Sequence, residues 1–209
     1  MRHLLCLLLS FAFISSSGGQ SFFDGFGVKG GLNIATIHGG SNDFNDGLRP
    51  KTYFHVGVYR DFWLDLDWNI RAELLYSVKG AQNRILLNTP GSNEEEVNYR
   101  AGYLSVPILA QFARGNFKFG AGPQIGYLLD EKLVVDGETS DGVLYDNNFD
   151  LGIVGNITYT LLMIDVELRY VYGLTNITDI QFTDPNGSPV GGPNLNNGVL
   201  QLGLGLRIF

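Results

Sequence analysis

His38, Ser41 and Asp43 stand close together in the chain and combine an imidazole, a hydroxyl and a carboxylate. Those groups could serve acyl transfer to a lipid or hydrolysis of a peptide, with the histidine as base and the serine as nucleophile. Such chemistry requires the base within hydrogen-bond reach of the hydroxyl, and nearness in sequence does not place it there. His38 reads as a solvated loop histidine, and the chain reads as non-enzymatic. The alternative, a loop-based membrane enzyme acting on lipid or peptide, predicts lost activity on His38 substitution.

Acidic groups form a second candidate. Asn93 to Glu96, together with Asp130, Glu131, Asp136, Glu138 and Asp141, could hold divalent cations or bridge lipopolysaccharide through them. The spacing matches no calcium loop, so these acids read as a solvated face, and no metal or cofactor is expected. Gly27, Gly30, Gly31, Gly120, Gly122 and Gly126 occur at strand spacing, without the helix start that a phosphate loop needs. Asp184 to Gly187, "DPNG", is a turn signal. The Asn156-Ile-Thr158 and Asn176-Ile-Thr178 triplets match a glycosylation pattern that a bacterial barrel is not expected to use.

The start of the chain bounds the compartment. Met1, Arg2 and His3 precede an apolar run from Leu4 to Ile14 and a small-residue stretch to Gln20, the pattern of a secretory signal peptide over residues 1–20. The barrel domain is expected to fill 21–209. Cys6 is the one cysteine and lies inside the leader, so no disulfide, zinc site or thiol nucleophile is expected beyond it. Net charge is -7, and removal of Arg2 takes it to -8. An acidic chain without basic runs argues against nucleic acid as a partner.

Eight segments alternate apolar and polar residues, at 26–36, 53–60, 69–80, 99–112, 117–129, 149–159, 163–174 and 198–209. Long links are expected at 37–52, 81–98, 130–148 and 175–196. Short ones are expected at 61–68, 113–116 and 160–162. This outline is an all-β fold, an eight-stranded antiparallel up-and-down transmembrane β-barrel with one decorated rim. Pro107 in the fourth segment implies a bulge or a missing ladder bond.

The polar parity decides which face looks inward. It carries Lys29, Asn33, Arg71, Glu73, Lys79, Lys118, Gln124, Asp150, Asp165, Glu167, Arg169 and Arg207, along with His55, Asn156 and many glycines. Charges of both signs beside glycines suit the crowded lumen of a small membrane barrel, and these twelve are the expected lumenal polar network. Two aromatic bands support this orientation. Phe62, Trp63, Trp68, Phe112, Phe117 and Tyr159 lie near the short links, and Tyr76, Tyr99, Tyr127, Phe149 and Tyr172 near the long ones. The other orientation is a soluble, lipocalin-like barrel with its apolar parity around a ligand.

The segments "FGVKGGLNIATI", "RAELLYSVKG", "YLSVPILAQF", "FDLGIVGNI", "RYVYGLTNI" and "GLGLRIF" follow one another in the order of the PorT-like outer membrane beta-barrel family, which the chain resembles from residue 21 onward. The resemblance implies a barrel in the outer membrane, in contact with its lipid. It implies insertion by the barrel assembly machinery, which reads a terminal aromatic residue. Phe209 fits as that assembly signal, although it shares the parity of Arg207 and the lipid stripe ends at Ile208. Long extracellular loops would serve structural, adhesive or partner-docking roles toward an unknown protein. The secretion and gliding role behind the family's name rests on no residue of this chain.

Overall fold

The computed structural model describes residues 25–38, 48–85, 95–135, 138–141, 148–175, 182–183, 189–190 and 196–208. Eight long strands make the wall: β1 (Phe26–His38), β2 (Lys51–Trp63), β3 (Trp68–Ile85), β4 (Glu95–Arg114), β5 (Phe117–Val135), β6 (Phe149–Leu161), β7 (Ile164–Gly173) and β8 (Asn196–Arg207). Each pairs antiparallel with its sequence neighbours, and β8 closes on β1 from Gly27 opposite Arg207 to His38 opposite Asn196. Closure removes the free edges that an open sheet would present to lipid, so every long strand has a ladder on both sides. A soluble lipocalin-like arrangement is overturned by the side-chain orientation. Leu32, Leu202, Leu168 and Ile157 stand in one register row around the outside, each about half exposed. A continuous apolar exterior of that extent belongs in lipid.

The turns at one end are short. Leu64–Asp67 joins β2 to β3, while Gly115–Asn116 and Leu162–Met163 are two-residue turns. Gly115 takes the left-handed backbone that its turn requires, with φ 59°, and Leu162 takes the same conformation at φ 57° with a side chain attached. Asp61 lies inside β2, not in the short link at 61–68, because the period-two pattern continues through Tyr59 and Asp61 to the end of the strand.

At the other end β3, β4 and β5 run to 18, 20 and 19 residues, against 10 to 13 for the remaining five strands. The expected long links at 81–98 and 130–148 are therefore partly strand. At about 3.3 Å per residue, one side of the wall rises roughly 20 Å along its strands beyond the other. Leu48–Arg49 pairs along β3 and Glu138–Asp141 along β5, covering both flanks of this extension.

Three irregularities interrupt the ladders. The β4–β5 register shifts between Gly102 and Tyr103, so the bulge lies five residues from Pro107. At Pro107 itself the β3–β4 ladder skips, with Ala72 paired to Ile108 and Leu75 to Ser105 but no pairing between. A ring nitrogen without a hydrogen accounts for that gap. Between β2 and β3 the ladder runs from Trp63 opposite Asn69 up to His55 opposite Ser77 and stops. It resumes at Arg49 opposite Gln82, one residue out of step. Residues 50–54 and 78–81 thus leave a window in that seam, with Pro50 inside it.

Aromatic side chains band the exterior at both ends. Trp68 packs on Phe112 at 5.2 Å between ring centres and Phe117 on Tyr159 at 5.0 Å. Toward the long connections, Tyr127 packs on Phe149 at 5.3 Å and Phe54 on Tyr76 at 6.1 Å.

Candidate functional site: the lumenal charge network

Residues two apart on a strand share a face, so each strand sends a short column of polar groups into the lumen. β7 contributes Asp165, Glu167 and Arg169, β3 contributes Arg71 and Glu73, and Lys29, Asp61 and Lys118 arrive from β1, β2 and β5. All eight are buried.

Glu167 is the hub. Its Oε1 lies 2.6 Å from Lys29 Nζ and 3.0 Å from Arg169 Nε, the latter an ion pair whose N–H is not aimed at the oxygen. Its Oε2 accepts from Asn156 Nδ2 at 2.9 Å and from Thr158 Oγ1 at 3.4 Å. Glu73 Oε1 accepts from Arg169 Nη2 at 2.6 Å and stands 3.3 Å from Lys29 Nζ.

A second group surrounds Arg71, whose guanidinium forks onto Asp61 at 2.6 and 2.8 Å and donates to Asp165 Oδ2 at 2.9 Å. It also lies 4.1 Å above the Tyr59 ring. Lys118 Nζ donates to Asp61 at 3.2 Å, and Thr160 Oγ1 and the Tyr59 hydroxyl donate to Asp165. Nearer the long connections, Lys79 pairs with Asp150 at 2.5 Å and stands 4.8 Å from the Tyr103 ring.

Among the buried, described side chains, five cations (Lys29, Arg71, Lys79, Lys118 and Arg169) face five acids (Asp61, Glu73, Asp150, Asp165 and Glu167). The buried interior is therefore neutral although the chain is acidic. Neutrality and multiple hydrogen bonds are what allow so many charges to leave water.

The other expected lumenal residues divide. Asn33 is buried at mid-height, where its Oδ1 accepts from His55 Nδ1 at 2.7 Å and Gln201 Nε2 at 2.8 Å. Its Nδ2 faces the Phe54 and Val78 carbonyls at 3.0 and 2.8 Å. Gln124 is buried in the wall opposite Pro107 and Gly152. Arg207 sits at the rim with its side chain 29% exposed, and its Nη2 is 3.8 Å from Asp165 Oδ1. Phe209 lies outside the described residues, as do the side chain of His38, Ser41, Asp43 and most acids of the long connections. Asn156 is occupied by Glu167 inside the barrel, which removes it as a glycan acceptor.

Asp61 and Tyr59 are the partners that sequence reasoning underused. Asp61 falls in the short link expected at 61–68, and extending the His55, Gly57, Tyr59 parity by one step places it in the strand. The lumen also holds an apolar layer: Ala35, Val199, Val171 and Val154 form one register row across β1, β8, β7 and β6, joined by Leu109, with Tyr53 packed against them. Val78, which shares the outward parity of Leu74 and Tyr76, is nevertheless fully buried beside the seam window.

Among the described residues no three His, Cys, Asp or Glu side chains are grouped to hold a metal ion. A paired, neutral interior of this kind ties strands together and fills the bore.

The closed eight-stranded antiparallel wall, apolar outside and ion-paired inside, defines an integral membrane barrel. Residues 21–179 match the family model described as the outer membrane protein beta-barrel domain, and the chain belongs to that family, whose place is the outer membrane. No curated protein matches the sequence. Among solved structures, Neisserial surface protein A is similar in fold, with a TM-score of 0.54 at 14% identity, covering 88% of this chain and 98% of that one. Ail, the attachment invasion locus protein of Yersinia pestis, has a TM-score of 0.48 at 11% identity, covering 88% and 97%.

Proposed function

We propose that this chain is a non-enzymatic outer membrane barrel, a rigid plugged stalk that presents its long connections outside the cell for structural, adhesive or partner-docking work. The observation that carries this reading is the lumen: five buried cations paired with five buried acids, crossed by an apolar layer, leave the bore filled by side chains. The long connections are assigned to the outside because barrels of this kind keep short turns in the periplasm. Residues 1–20 act as a cleaved export signal, the barrel assembly machinery inserts 21–209 with Phe209 as its signal, and the barrel is of PorT-like type, a reading supported by the six motifs.

Two measurements test the proposal together. Planar bilayer recording of the refolded protein should give no steady conductance. Labelling of a cysteine introduced in the 176–195 connection should succeed on intact cells with a membrane-impermeant reagent. A steady open channel, or labelling only after the outer membrane is broken, overturns the reading.

A further inference from the structure

The seam window between β2 and β3 occupies the half of the wall nearer the long connections, directly beyond a lipid-facing row of Val56, Tyr76, Leu104 and Tyr127. From the lumenal side it is closed by Asn33, whose amide bridges the Phe54 carbonyl on β2 to the Val78 carbonyl on β3. From the outer side its neighbour is Arg100 on β4. Arg100 stands opposite Gly80, which carries no side chain, and opposite Lys132 on β5, so the three positions share the outward face. The guanidinium reaches over to the Tyr76 hydroxyl, which itself donates to Asp130 at 3.0 Å. Its Nε–H is buried and has no hydrogen-bond partner. Lys132 beside it is exposed.

Backbone without a ladder partner cannot face hydrocarbon without large penalty, so a window at this height belongs at the polar level of the bilayer. Two cations stand there on the outward face, one with an unused donor. Asp130 on that face is already bonded to Tyr76, while Asp141 stands in register with Lys132 at the flank of the sheet.

We propose that Arg100 and Lys132, set beside the β2–β3 window, form a docking site for the anionic, phosphate-bearing headgroup of an outer-leaflet lipid whose acyl chains lie along the Val56, Tyr76, Leu104 and Tyr127 row. Guanidinium and ammonium together supply the fork and the point charge that a phosphate accepts. The inference rests on the outward placement of the long connections proposed above, but its test does not, because a nanodisc presents the same lipid at both rims.

The refolded protein in phosphatidylcholine nanodiscs containing lipid A is released into a mass spectrometer and its retained lipid is titrated. Wild type should retain lipid A. The double variant R100Q/K132Q should bind it about tenfold more weakly, while R114Q, at the short-turn rim, should match wild type. Equal retention by all three overturns the site. Displacement by inorganic phosphate at matched concentration overturns the lipid assignment in favour of a soluble anion. Should R100Q/K132Q fail to fold, R100K and K132Q are measured singly, and retention unchanged in both overturns the proposal.

Discussion

Gly31 and Gly203 face one another across the closing β1–β8 ladder, and the His55 ring from β2 lies over both. A methyl added at Gly203 would press on that ring, 3.2 Å from Nε2, with the Gly30 carbonyl oxygen at an ordinary 3.6 Å, whereas one at Gly31 would meet backbone as well as the ring, with Gly203 Cα at 2.6 Å and His55 Cε1 at 2.8 Å. Overpacking of this kind costs about 1–3 kcal/mol. G203A should therefore lower stability in denaturant titrations by an amount that H55A in the same chain largely removes. G31A should lower it more, and H55A should not rescue it. Equal rescue at both sites would show that the backbones can part.

Glu167 answers Lys29 and Arg169 at once, so its removal leaves buried cations without their acid. E167Q is expected to destabilise the barrel by about 3–5 kcal/mol. The combined variant E167Q/K29M should recover much of that loss, because it restores neutrality. Midpoints of unfolding in detergent, followed by the heat-dependent shift in gel mobility, give both values.

On the outside, Leu202 lies midway along β8 and Leu206 near its end at the short-turn rim. Arginine at a mid-bilayer barrel position costs about 2–4 kcal/mol and falls toward 0–1 near the interface. L202R should therefore fold into vesicles markedly less well than L206R. An equal penalty at the two sites would mean that the lipid band is misplaced along the wall.

Leu162 holds a left-handed backbone in a two-residue turn where Gly115, in the neighbouring turn, holds the same conformation without a side chain. Replacing it with glycine relieves roughly 1 kcal/mol of steric strain. L162G is expected to raise the unfolding midpoint, and a lowered midpoint would show that the leucine's contacts outweigh the strain.

Strand number, order and orientation are legible in the sequence, because lipid outside and ion pairs inside impose period-two contrast on every strand. Leu202 and Gln201 have opposite environments and read as such. What contrast cannot reveal is where a strand ends once it leaves the membrane, as in β3 to β5, or where a ladder slips. Pro107 signals a local defect and the β3–β4 ladder does skip there, yet the bulge falls at Gly102, which no residue type marks. Val154, Val171 and Val199 are invisible as lumenal residues for another reason. They share the polar parity but are apolar, since one level of the bore is filled by packing instead of charge. The partners within the network are unreadable too: Arg71 could have met any of several acids until closure placed Asp61 and Asp165 beside it.

The uneven height of the wall gives the molecule a heading. A neighbour drifting in the plane of the membrane meets a tall screen of β3, β4 and β5 from one bearing and a low sill of β6 to β8 from the opposite one. Any contact made against the tall side therefore has a direction, which a wall of even height would not give it.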